Sequence, residues 1–141
     1  MSDLPALLVA LPLLGSTLAF LAGLARSESG WPVALVTSIV QVIGAAVLAS
    51  RAFDSTVSYV VGGFEAPFGI ELYIDGLSAT MALLVAVVSL AVLAYSRAAG
   101  PRSNAFYAAY LLLVAGLTGM SITGDVFNMY VFLEITGLAA Y

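Results

Sequence analysis

The chain has 141 residues, 62% of them hydrophobic and 9% charged, with a mean hydropathy of +1.11. That much apolar surface exceeds what a soluble domain of this size can bury, so the sequence reads as an integral membrane protein. Eight acids against four arginines give a formal charge of -4. With no Lys, His or Cys there is no basic patch for nucleic acid, no disulfide, and no thiolate or imidazole ligand for a metal.

The first apolar run, about 4–25, is long enough to span and carries no charge, although Pro5, Pro12 and Gly15 can bend it. It reads as a retained helix. A signal peptide would open on basic residues and have a shorter apolar core, whereas this run follows Ser2 and Asp3. A polar link leads to a second span, about 31–52, opened by Trp31 as an interfacial anchor and by Pro32 in the first turn. Gln41 is its strongly polar mid-span side chain, expected to make an interhelical hydrogen bond.

From 57 to 74 the period shifts to two. Val57, Tyr59 and Val61 alternate with Ser58 and Val60, and Ile70, Leu72 and Ile74 alternate with Glu71 and Tyr73, on either side of a turn block at 62–69. This predicts an extramembrane β-hairpin between helices. The third span, about 75–95, opens on Asp75, read as a helix cap in preference to a group lining an ion exit path. After a basic turn holding Arg97 and Arg102, the fourth span, about 106–122, carries Ala115, Gly119 and Thr123 at four-residue spacing, a stripe suited to close helix packing. Arg26, Arg97 and Arg102 fall in the first and third links and only Arg51 flanks the second. The arginine bias places the first and third links in the cytoplasm and the N-terminus and hairpin outside.

The last segment, about 126–141, makes roughly 24 Å of helix against the roughly 30 Å that a bilayer core requires. The helix is therefore expected to be cut short, and the chain to be the leading part of a larger bundle. Asp125 reads as its N-cap, and Glu134 lies about 12 Å along it, near the membrane midplane. Phe127, Tyr130, Val131, Gly137, Leu138 and Tyr141 share its side of the helix. A carboxyl group in such a setting favours its neutral form, and a nearby cation restores the charge, so Glu134 is a candidate proton relay. Two other readings stay open on the residues alone: a protonated interhelical hydrogen-bond donor, and a surface group on a misplaced helix. No arginine lies mid-span, so a cationic partner must come from outside these residues.

The pattern Thr123-Gly124-Asp125, Phe127-Asn128, Val131-Phe132 and Glu134 resembles the fourth-to-fifth helix region of the antiporter-like membrane subunits. This family comprises the D subunits of Mrp-type multisubunit Na+/H+ antiporters, membrane-bound hydrogenase subunits and the antiporter-like subunits of respiratory complex I. Leu133, where other branches tend to carry Trp, is most similar to the Mrp D branch. Gly62-Gly63, Phe64, Ala66-Pro67, Gly69-Ile70, Leu72 and Asp75-Gly76-Leu77-Ser78 resemble the family's outer hairpin and third helix. The resemblance implies a larger bundle of inverted helical repeats in a prokaryotic cell membrane. It also implies that Glu134 is the fifth-helix glutamate that pairs with a lysine on a later helix and gates proton entry.

The sequence is thus read as an all-α polytopic membrane protein of about five transmembrane helices with one extramembrane hairpin. Its expected function is that of a proton-translocating antiporter subunit, with Glu134 as the site residue and no cofactor or metal. Expected partners are membrane lipid, other subunits, protons and Na+. The alternatives are a proton-pumping subunit of a redox complex, which alone would make it part of an enzyme, and a non-conducting scaffold bundle.

Overall fold

The computed structural model describes residues 3–26, 28–64 and 69–141. The order of elements is α1 (Leu4–Ala25), α2 (Gly30–Ala52), β1 (Val57–Val60), a 3-10 turn (Val61–Gly63), β2 (Glu71–Ile74), α3 (Gly76–Ala99), α4 (Asn104–Ile122) and α5 (Val126–Ala140). The first four helices are long and apolar enough to cross a membrane, and α5 is a shorter apolar helix. Compared with the sequence expectation, α3 runs about one turn further, and α4 begins two residues earlier because Ser103 accepts a hydrogen bond from the Phe106 amide and caps it. The expected turn block is described at Gly62–Phe64 and Gly69; Glu65, Ala66, Pro67 and Phe68 lie outside the described residues.

Helices α1 to α4 form a ring in which each packs on the next and α4 returns to α1, while α5 lies against α4. The inward faces are built from small side chains: Gly15 and Ala19 on α1, Ala34 and Ala45 on α2, Ala79, Ala82 and Ala86 on α3, Ala115 and Gly119 on α4. Bulky apolar side chains such as Leu14, Leu24, Ile43, Leu84 and Val88 point outward. This is the arrangement expected where lipid replaces water as the surrounding medium. Burying leucine gains little against hydrocarbon, and close backbone approach gains van der Waals contact.

The ring is cross-linked by a few polar contacts. Gln41, fully buried at the middle of α2, donates through Nε2 to the carbonyl of Leu8 at 2.8 Å and to Thr118 Oγ1 at 3.2 Å. Pro12 has no N–H to give the Leu8 carbonyl one turn earlier, so α1 leaves an acceptor that α2 then satisfies. Tyr110 Oη donates to the Ser89 carbonyl at 2.6 Å, tying α4 to α3. At one rim, Asn104 Oδ1 accepts from the Gly30 amide at 2.7 Å and so joins the first and third links.

At the opposite rim lies the hairpin, with β1 and β2 antiparallel and Val57 facing Ile74, Tyr59 facing Leu72. Leu72 and Ile74 are buried while Tyr73 is outside, the alternation that the period of two requires. Gly62 and Gly63 take φ of +72° and +77°, a backbone region that side-chain-bearing residues rarely adopt, which explains the glycine pair at the turn. Asp75 caps α3: its Oδ1 accepts from the Ser78 amide at 2.8 Å. That amide, and then the Ser78 hydroxyl, hold the Asp75 carboxyl below the usual carboxylate range.

Candidate functional site

The site is organised by the turn from α4 into α5. The Gly124 amide donates to the Glu71 carbonyl at 2.9 Å, and Thr123 forms a β-bridge with Leu72, so the hairpin edge fixes where α5 begins. Asp125 accepts from the amides of Phe127 at 3.1 Å and Asn128 at 3.2 Å, which makes it the N-cap the sequence suggested. Asn128 is buried and donates through Nδ2 to Thr123 Oγ1 at 3.0 Å. In the sequence Asn128 stands out only as part of the pattern from Thr123 to Glu134. Its five-residue separation from Thr123 across a turn carries no periodic signal that could have revealed the contact.

From there α5 buries one narrow face. Phe132 lies over Gly119, and Thr136, whose hydroxyl donates to the Phe132 carbonyl at 2.8 Å, lies over Gly116. A Cβ at either glycine would collide with these groups, so Gly116 and Gly119 set the distance between the two helices. The stripe read in the sequence is therefore an α4–α5 interface at Gly119 and Thr123, with Ala115 fully buried within α4's packing.

The opposite face carries Glu134. Phe127 is 71% exposed, Tyr130 59% and Leu138 76%, and Glu134 lies among them, also exposed. Tyr130 lies one turn before Glu134, and its phenol is the polar neighbour of the carboxylate. Beyond Glu134, Gly137 leaves open space where a side chain would stand. The sequence grouping of aromatic rings with Glu134 on one side is what the helix displays. The structure adds the phenol as polar neighbour, a contact that i to i+4 spacing could have indicated. Among the described residues no group of His, Cys, Asp and Glu could hold a metal ion. Every arginine lies in a link or at a helix end, far along the chain from the middle of α5.

A carboxylate facing hydrocarbon costs at least about 2.5 kcal/mol on insertion scales, more than one phenol contact returns. This face is chemically suited to be covered by protein that supplies a cation or a proton acceptor. The fold and this face together define a multi-pass membrane segment whose bundle presents one acidic helix outward.

Comparison with known proteins identifies its relatives. Residues 59–98, from the hairpin through most of α3, match the family model described as NADH-Ubiquinone oxidoreductase (complex I), chain 5 N-terminus. NADH-quinone oxidoreductase subunit N of Desulforudis audaxviator is 42% identical over 99% of this chain, which covers 29% of that protein. The D subunit of a probable K(+)/H(+) antiporter from Rhizobium meliloti is 45% identical over 59% of this chain, covering 16% of that protein. Among solved structures, a chain of the Mrp complex from Dietzia sp. superposes with a TM-score of 0.87 at 30% identity, over 99% of this chain and 26% of that one. The chain belongs to the antiporter-like membrane subunits, as a homologue of antiporter D subunits and of complex I subunit N. It spans under a third of the length of these relatives.

Proposed function

We propose that this chain is the leading segment of a proton-translocating subunit in a cation/proton antiporter complex, with Glu134 as its mid-membrane proton relay. The observation that carries the reading is the position of Glu134. It stands eight residues into α5, about 12 Å from the helix start, on the face that α4 leaves uncovered. In an apolar setting the carboxyl group holds its proton; an approaching cation stabilises the anion and releases it, so the movement of that cation loads and unloads the site. Tyr130, its polar neighbour, can offer a donor to the anionic form. The cation and the cover for this face come from the remainder of the subunit or from neighbouring subunits. The antiporter reading is supported by the D-subunit likeness and by the fit to the Mrp complex.

The test is Glu134→Gln in the full-length subunit within its complex, reconstituted in vesicles, with proton flux measured on addition of Na+ or K+. Loss of flux with normal assembly is expected, because Gln keeps the shape and a hydrogen-bonding amide but cannot bind and release a proton. Unchanged flux would sink the relay assignment.

A second reading is favoured by the likeness to subunit N, which extends over 99% of the chain. In that case the same carboxylate serves a redox-driven pump. Proton flux that requires an electron donor and a quinone, and is indifferent to an imposed cation gradient, would select it.

A further inference from the structure

The two rims of the bundle carry opposite charge. Asp3, Asp54, Glu71, Asp75 and Asp125 lie at the hairpin end with Arg51, whereas the other end holds Arg26, Arg97 and Arg102 against the single carboxylate of Glu28. Arg26 closes α1 and Arg97 lies in the last turn of α3, and α2 packs against both helices. The Arg97 guanidinium stacks over Trp31 with 5.0 Å to the ring centroid, a contact that restrains the cation at the head of α2. Both arginines are exposed, and among the described residues no carboxylate forms an ion pair with either. Beside Arg26 opens a cleft of about 330 Å³ lined by Arg26, Glu28, Ser29 and Pro32, and Arg97 stands over Trp31, the chain neighbour of Pro32.

Below the cleft, Pro32 begins an outward-facing apolar lane on α2. Val36, Val40 and Ile43 follow at helical spacing, with exposures of 61%, 45% and 59%. Helices α1, α2 and α3 have 22, 23 and 24 residues. At 1.5 Å per residue such helices exceed the roughly 30 Å hydrocarbon core, so their ends reach the phosphate layer. Trp31, whose ring belongs at that level, marks the same depth.

We infer that this rim is a binding site for an anionic phospholipid, its phosphate held by Arg26 and Arg97 and its acyl chains lying along the Val36–Ile43 face of α2. Charge complementarity selects an anionic head, and the continuous apolar lane beneath it selects a lipid over a soluble phosphate or an acidic protein loop. The site lies at the opposite end of the bundle from the start of α5 and uses none of the residues around Glu134.

The experiment uses the full-length subunit, purified in detergent and supplied with equal amounts of dioleoyl phosphatidylglycerol and dioleoyl phosphatidylcholine, with retained lipid read by native mass spectrometry. Preferential retention of phosphatidylglycerol is expected. Each guanidinium near the surface contributes about fivefold, so Arg26→Gln with Arg97→Gln should weaken retention about twenty-five-fold. Arg26→Lys with Arg97→Lys should stay within a few-fold of the parent, and Arg51→Gln on the opposite rim should leave it unchanged. Folding of each variant is read from its melting temperature in phosphatidylcholine alone. Equal retention of the two lipids by the parent, undiminished retention in the folded double Gln variant, or displacement of the lipid by equimolar inorganic phosphate would each overturn the proposal. Charge-dependent crosslinking of these arginines to an acidic loop of a neighbouring subunit, in place of lipid, would overturn it too.

Discussion

At the scale of single residues, Gln41 and Pro12 are most informative because each explains the other. Pro12 removes the amide that would satisfy the Leu8 carbonyl, and Gln41 Nε2 restores a donor from the neighbouring helix. The Leu8 oxygen can only accept, which fixes the orientation of the Gln41 amide and leaves its Oε1 without a partner among the described residues. That unpaired oxygen offsets part of the gain. Gln41→Leu is therefore expected to cost about 1 kcal/mol, near the low end for a lost buried hydrogen bond. In a Pro12→Ala background the new alanine supplies the missing amide, and the same change should cost less, since only the contact with Thr118 is then lost. A double-mutant cycle on thermal stability in detergent measures the coupling. Equal costs in both backgrounds would show that Gln41 does not serve the carbonyl that Pro12 frees.

At the scale of elements, the helices and hairpin were legible because their signals are local. Long apolar runs fixed the spans, and the Leu72–Ile74 alternation fixed which face of β2 turns inward. The cap at Asp125 was legible too, since the carboxylate acts on amides two and three residues away. Contacts between distant segments were not legible: Gly124 with Glu71, Gly30 with Asn104, and the pairing of α5 with α4 in particular. The small-residue stripe announced a close interface without naming its partner. Gly116 now supplies a test of that interface, since the Phe132 carbonyl and the Thr136 amide, both backbone, lie 3.1 and 3.2 Å from where a Cβ would stand. Helix propensity favours replacing this glycine, by up to about 1 kcal/mol for Ala, whereas overpacking against rigid backbone costs about 1–3 kcal/mol. Gly116→Val adds bulk with little propensity gain, so overpacking should prevail. Cysteine pairs placed across α4 and α5 should then crosslink less efficiently, and a parental crosslinking rate would show that α5 does not rest on Gly116.

At the scale of the whole molecule, the sequence located Glu134 along α5 but not its direction, because position follows from counting residues along one helix and direction depends on which face α4 covers. Glu134 is exposed, and the charge distribution of the bundle gives its orientation a test. Three arginines at the first and third links against one at the opposite rim favour the first rim on the cytoplasmic side, which sends α5 inward from the outer face. These 141 residues hold no cysteine, so single thiols introduced here report their side once any cysteine elsewhere in the full-length subunit is replaced. Ser55→Cys, exposed after α2, is expected to react with a membrane-impermeant maleimide added to intact cells, and Ala99→Cys, exposed at the end of α3, only after the membrane is permeabilised. The reverse pattern would invert the topology. Glu134 would then lie about 12 Å from the cytoplasmic rim, and the proposed relay would load from that side.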